Sequence, residues 1–259
     1  MLEAETQKKN RIIIAMKKCS LAGLIALLSI AVALVPVRAR SAGDPTDLIE
    51  GFRLVEAASV ADAMEQLYGQ KAYMTHDMRP LNQCKFAGRA ITVLLTKEEH
   101  KEGSKAQQGM LDAIDEARPG SVYVMVLEDG LDYAGIGGLM STAMKYRGFA
   151  GAVIDGGLRD TPQITKLQFP VFSRGIVPST TVNHYRFAGR DITVTCAGVE
   201  VRPRDIIVAD MDGVVVVPQE KAADVLKKAQ ALDESEHSMI PFIEKYKSIR
   251  EAVAKFGRL

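Results

Sequence analysis

Gly151-Ala152-Val153-Ile154-Asp155-Gly156-Gly157-Leu158-Arg159-Asp160 is the stretch that decides the architecture. A short apolar run, closed by an acid and a glycine pair, predicts a buried strand over Gly151–Asp155. Beyond it, the glycines predict a loop that presents Arg159 and Asp160. Working outward, Leu139–Arg147 reads as a helix stopped by Gly148, and Val122–Leu127 as a second buried strand. Between them stands Gly135-Ile136-Gly137-Gly138. Strand, glycine-rich loop, helix and strand make an α/β unit, and ligand sites in such units form outside the strand ends.

The flanking chain extends the pattern. Ala87–Thr96 and Val171-Phe172 read as strands, and Met110–Ala117 as a helix ended by Pro119-Gly120. Asp47–Tyr68 reads as helical, with Ser59 as an N-cap before an apolar stripe through Met64 and Leu67. After Asn183 the pattern changes to strands and turns: Ile192–Thr195, Val199–Val201, Ile206–Ala209 and Val214–Val217. Gln219–Leu232 and Ile240–Phe256 read as helices. No repeat or low-complexity linker separates the α/β units from the antiparallel set, which predicts one α/β domain of layered sheets and helices.

The chain has 259 residues, with 33 Lys+Arg against 32 Asp+Glu and 47% hydrophobic residues, which excludes a disordered or fibrous protein. The near-zero net charge hides an asymmetry. Residues 1–42 hold seven basic and two acidic residues, so the remainder is net negative. A body of that sign has no general attraction for nucleic acid. Lys17 and Lys18 precede the apolar run Leu21–Val35, which Pro36 ends. About fifteen residues is short for a membrane span and suits a secretory leader. Residues 1–42 are therefore expected to be a signal peptide, with Met16 as an alternative start and cleavage after Ala39 or Ala42. The mature chain, 43–259, would be periplasmic or secreted and have no membrane contact. Cys84 and Cys196 form no zinc spacing and no disulfide framework.

Three segments can carry chemistry. Free amides at the start of the helix after Gly135-Ile136-Gly137-Gly138 would take a carboxylate or phosphate; close helix–strand packing explains the glycines equally well. A dinucleotide fingerprint fails, because its third glycine would fall on Met140. In the second segment, Arg159 can clamp a carboxylate and Asp160 can hold a hard cation such as Mg²⁺. Against that, Asp160 before Thr161-Pro162 also fits a helix N-cap. The third, Asp210-Met211-Asp212-Gly213, reads as a hairpin turn and not a metal loop. His76, His100, His184 and His237 have no metal-ligand spacing.

Taken in order, Met78-Arg79-Pro80-Leu81, Gly137–Asp160, Pro170–Gly175 and Gly198–Pro218 resemble the RraA-like family. That family includes 4-hydroxy-4-methyl-2-oxoglutarate aldolases, regulators of ribonuclease E activity, and members once labelled demethylmenaquinone methyltransferases. The similarity runs from about Asp47 to the C-terminus. It implies a three-layer β/β/α swivelling-type domain and a homotrimer with sites between subunits. It also implies that Arg159 contacts a keto acid, that Asp160 holds Mg²⁺ or Mn²⁺, and that amides of Gly138, Leu139 and Met140 take the substrate carboxylate. The aldolases carry an acid 21 positions before the arginine, and here that position is Gly138. Arg204 also replaces the glycine usual before Asp205.

Three functions follow from the resemblance. The first is a metal-dependent keto-acid lyase, an aldolase or oxaloacetate decarboxylase. The second is an exported anion-binding protein without turnover, which Gly138 favours. The third is a ribonuclease regulator, which an export signal disfavours. Glu128, Asp129 and Asp132 are the nearby acids that could replace the missing one.

Overall fold

The computed structural model describes residues 45–257; the expected leader at 1–42 lies outside them. The chain runs α1 (Pro45–Leu54), α2 (Ala57–Tyr68), β1 (Arg79–Pro80), β2 (Phe86–Lys97), α3 (Gln108–Asp115), β3 (Ser121–Leu127), β4 (Ala134–Ile136), α4 (Gly138–Tyr146), β5 (Gly151–Leu158), α5 (Thr161–Leu167) and β6 (Val171–Ile176). It continues through β7 (Tyr185–Arg190), β8 (Val194–Cys196), β9 (Val199–Val201), β10 (Ile206–Asp210), β11 (Gly213–Val217), α6 (Ala222–Tyr246) and α7 (Ile249–Phe256).

Strands β2, β3, β5 and β6 are parallel neighbours, ordered β6-β5-β3-β2. The antiparallel hairpin β10–β11 extends the sheet beyond β2, and β1 closes the opposite edge on β6. The N-terminal half of β2 pairs with β10 and its C-terminal half with β7, with a register shift at Leu94/Leu95. β8 and β9 form a separate two-stranded sheet.

Side-chain alternation along the strands makes three layers. On β3, Tyr123, Met125 and Leu127 point into one core with Met110 and Ile114 of α3, Met144 of α4 and Ile164 of α5. The intervening Val122 and Val124 point into a second core with Val194, Cys196 and Val201 of the β8–β9 layer. On β10 and β11, Ile206, Val208, Val215 and Val217 face α1, α2 and α6, while Ile207, Ala209, Val214 and Val216 face β8–β9. A period of two thus commits each strand to helices on one face and to strands on the other. This is the expected β/β/α arrangement.

Several sequence expectations change. β5 does not stop at Asp155 but continues through Gly156, Gly157 and Leu158. The glycines admit neighbours instead of ending the strand. Gly157 N–H donates to the Tyr133 carbonyl at 2.8 Å, and a β-carbon on Gly157 would sit 2.8 Å from that oxygen. This close approach lets β4 pair beside the end of β5. Ser59 is not an N-cap. Helix α2 starts earlier, at Ala57, because the Asp210 carboxylate accepts its N–H at 2.8 Å. Ser59 lies inside the helix, and its hydroxyl donates to buried Asp233 at 2.8 Å. Strand β7 has no clear apolar alternation and was not expected; pairing with β2 forms it. Asp210 and Gly213 pair across the expected tight turn, and Asp210 also accepts from Asp212 N–H at 3.0 Å.

Candidate active site

The end of β5 and the start of α4 converge. Gly137 is the N-cap of α4, in extended conformation, and the first bond within the helix runs from Ser141 N–H to the Gly137 carbonyl. The amides of Gly138, Leu139 and Met140 therefore have no helical acceptor, which makes this end receptive to negative charge. Arg159 N–H bonds the Ile136 carbonyl at 3.2 Å, locking the Arg-Asp pair against the helix start.

Asp160 adopts the left-handed conformation, with φ of 56°, a region that short polar residues tolerate. Its carbonyl accepts from Gln163 and Ile164, so its backbone does begin α5. The side chain does not cap that helix. Oδ2 instead accepts the Gly138 N–H of α4 at 3.0 Å. Of the three amides expected to take substrate, one is thus held by Asp160, and those of Leu139 and Met140 remain. Arg159 Nη1 donates to the Ser179 carbonyl at 3.3 Å, and Nε lies 3.9 Å from Asp160 Oδ2. Both side chains are partly exposed.

The two glycines at this junction have different neighbours. A β-carbon on Gly137 would lie 2.6 Å from Asp160 Oδ2 and 3.1 Å from Arg159 Cγ. On Gly138 it would meet the amide end of Gln163, with Cδ at 2.5 Å. Gly138 does not have a positive φ.

This junction borders a cleft of about 430 Å³, whose lining includes Gly137, Leu139, Met140, Arg159 and Asp160. Helix α3 and the segment Thr180–Val182 supply much of the remaining wall. Glu128, Asp129 and Asp132 do not line it; Asp115, at the end of α3, does. Asp115 and Gln107 sit in no recognisable motif, and only the packing of α3 beside α4 brings them here.

The other candidate groups serve the fold. Asp155 points to the opposite face of the sheet, where Arg174 Nη1 donates to it at 3.0 Å and Ala197 N–H at 2.5 Å. Arg174 Nε also donates to Asp77 at 2.7 Å. The buried Thr75 hydroxyl, then Arg174, hold the Asp77 carboxyl below its usual range against the opposing effect of burial. His184 Nδ1 pairs with Glu99 at 2.8 Å, and His100 Nε2 contacts the Tyr185 carbonyl at 3.0 Å. Cys84 and Cys196 are both free, and burial pushes the Cys84 thiol up to about 11. Among the described residues no group of three or more His, Cys, Asp or Glu side chains is placed to hold a metal.

A three-layer β/β/α domain with an Arg-Asp pair set against a glycine-started helix defines the class: an α/β protein with an anion-receptive cleft at its parallel strand ends. The chain belongs to the RraA-like family, described as aldolase/RraA, whose family model matches residues 57–216. It is 33% identical over 201 residues to a Halalkalibacterium halodurans protein provisionally named a 4-hydroxy-4-methyl-2-oxoglutarate aldolase, covering 75% of this chain and 89% of that one. Among solved structures, it resembles an uncharacterized Pseudomonas syringae protein at 26% identity and a TM-score of 0.73, covering 81% of this chain and 94% of that one. It also resembles Streptomyces coelicolor RraAS2, titled an unusual member of the RNase ES inhibitor RraA family. There the identity is 27% and the TM-score 0.65, over 74% of this chain and 94% of that one.

Proposed function

We propose that this protein is a metal-assisted lyase that binds a 2-oxo acid in the α4 cleft and breaks a carbon–carbon bond next to the keto group. The observation that carries this reading is the convergence of Arg159, Asp160 and the open amides of Leu139 and Met140 in the lining of the cleft. The guanidinium clamps the carboxylate and ketone oxygens of the substrate, and the two amides take the carboxylate's outer face.

Asp160 suits a hard cation. One oxygen is engaged by Gly138 N–H, the side chain is about half exposed, and among the described residues no cluster of other ligands surrounds it. A single carboxylate with room for water fits Mg²⁺ or Mn²⁺, which keep several waters, and does not fit a closed zinc site. When bound, such a cation supplies Lewis-acid pull on the ketone oxygen as the bond breaks. Gly138 N–H holds the carboxylate of Asp160 in position. Arg159 offsets the repulsion between that carboxylate and the substrate's own.

The reading extends to assembly and location. A homotrimer, with the cleft completed between subunits, and export to the periplasm or medium remain its proposals. A second reading, an exported keto-acid-binding protein without turnover, is favoured by Gly138, which puts no acid where the aldolases have one. Pyruvate release from oxaloacetate and from pyruvate aldols, measured with and without Mg²⁺ or Mn²⁺, separates the two. Metal-dependent release that disappears in Asp160→Ala and Arg159→Ala supports the lyase. Metal-dependent binding without release establishes the second reading. Unchanged metal affinity in Asp160→Ala leaves Asp160 with a structural role only.

A further inference from the structure

Arg89 and Arg204 meet at the N-terminal end of the parallel strands, whereas Arg159 follows the C-terminal end of β5. Arg89 is the register partner of Ser121, the first residue of β3, and Arg204 lies just before β10. Nη1 of half-buried Arg89 donates to the Arg204 carbonyl at 3.3 Å, the one acceptor its side chain has among the described residues. A guanidinium carries five N–H donors, so most of the fork stays open. Among the described residues, neither arginine has a carboxylate within ion-pair distance. Asp205, next in the chain, has both oxygens engaged by Arg202 and by Gln219 N–H. Burial, and then the charge of Arg204, pull the Arg89 guanidinium below its usual value.

Arg204 is unfavourable to the fold in two ways. It sets a like charge beside a half-buried cation, and its φ of 72° lies in the left-handed region that favours glycine. No contact of its exposed side chain with the described residues offsets either effect. An anion held between the two guanidiniums offsets both. Ser121, on the same face of the sheet as Arg89, adds a hydroxyl that makes no hydrogen bond to the described residues. A further arginine, Arg118, stands beside it, its carbonyl accepting Ser121 N–H at 3.3 Å. One guanidinium fork satisfies a planar carboxylate; two forks and a hydroxyl suit the tetrahedral oxygens of a phosphate dianion. The chain beyond residue 42 is net negative, which favours a compact group over a long polyanion. We propose that Arg89, Arg204 and Ser121 form a site for a single phosphate group, either the free ion or the phosphate of a small monoester.

The test is calorimetry on the purified protein with inorganic phosphate, glycerol 3-phosphate and acetate at matched ionic strength, alongside thermal melts. Phosphate should bind, and acetate should bind less tightly. Arg89→Gln and Arg204→Gly should each weaken phosphate by about tenfold or more, the scale of a lost hydrogen bond to a charged group. Arg204→Gly also removes the like charge and the unfavourable φ. It should therefore melt at or above the wild type without phosphate, and gain less than the wild type when phosphate is added. Arg159→Ala should leave phosphate affinity unchanged, because the α4 amides lie at the other end of the strands.

Tighter binding of glycerol 3-phosphate than of the ion supports the site and identifies a monoester as its ligand; the reverse supports it with the free ion. Absence of phosphate binding, or acetate binding as tightly, overturns the proposal. Phosphate affinity that is unchanged in Arg204→Gly, or lost in Arg159→Ala alone, places the anion elsewhere and overturns it too. So does an Arg204→Gly protein that melts below the wild type without phosphate, because Arg204 then serves the fold. None of these outcomes bears on the lyase reading of the α4 cleft.

Discussion

Gly137→Ala is the sharpest probe of the proposed site, because it adds one methyl group at the point where all its parts meet. Gly137 has φ of −142° and ψ of −163°, an extended conformation open to any residue, so the backbone is not strained. The added carbon would lie 2.6 Å from Asp160 Oδ2, where ordinary contact begins at 3.4 Å. The carboxylate must therefore retreat by about 0.8 Å, which breaks its 3.0 Å bond to Gly138 N–H. Arg159, with Cγ at 3.1 Å and Nε at 3.2 Å from the new carbon, must shift as well. The lost hydrogen bond costs about 0.5–1.5 kcal/mol, toward the lower end because Asp160 is about half exposed. In a domain of this size that lowers Tm by no more than about 2–4 °C.

The effect on ligand handling should be far larger. Displacing a positioning group by about 1 Å costs roughly 10²-fold in a reaction that depends on it. Gly138→Ala is the matched control. Its new carbon first meets the end of the exposed Gln163 side chain, held by a weak bond of 3.4 Å to Thr142, which can swing away. Gly138 is itself buried, but the long Gln163 side chain can move aside, so that variant should lose far less than Gly137→Ala. The assays are metal-dependent pyruvate release from oxaloacetate, which reads the roughly 10²-fold effect, and calorimetric titration with a 2-oxo acid in Mg²⁺, alongside thermal melts of both variants. A Gly137→Ala protein that melts near the wild type and binds the 2-oxo acid with unchanged affinity would refute the placement of the site. Equal losses in both glycine variants would also count against it, because general damage to α4 would then explain them.

Two further outcomes are expected. Gly138→Asp should raise metal-dependent pyruvate release by about tenfold or more, through a carboxylate that positions water for the proton steps, and the gain should vanish in Arg159→Ala. Gly138 does not have a positive φ, but it is buried and the new side chain must displace the end of Gln163, so a circular dichroism spectrum and a melt are read before the rates. Asp77, whose carboxyl is held low by Thr75 and Arg174, contributes stability that is present above the unfolded carboxyl pKa of about 4 and is lost as pH falls through its lower folded value. Asp77→Asn should therefore lower Tm at pH 7, and the difference from the wild type should shrink below about pH 4. A difference that stays constant down to pH 2 would show that Asp77 acts through shape and not charge.

How far the sequence could be read depends on whether each signal was local. Val122–Leu127 and Val214–Val217 were legible as strands because burial on both faces leaves continuous apolar runs. Strand β7 was hidden, since Arg186, Gly189 and Arg190 give no apolar alternation and only the second half of β2 makes that segment a strand. The end of β5 was misplaced because a glycine pair marks a loop when read alone, whereas here it clears space for Tyr133 and β4. The cap of α2 was misassigned for a related reason. The group that caps it, Asp210, is 153 residues away in the chain. At the candidate site the rival readings of each motif describe a single contact. The glycines before α4 were either an anion site or a packing point, and Asp160 either a ligand or a helix cap. In the fold, Gly137 has no β-carbon so that Asp160 can pack against it, and the carboxylate that packs there caps α4, the neighbouring helix, and not its own. Close packing and anion binding are thus the same feature, and the methyl group of Gly137→Ala perturbs both together.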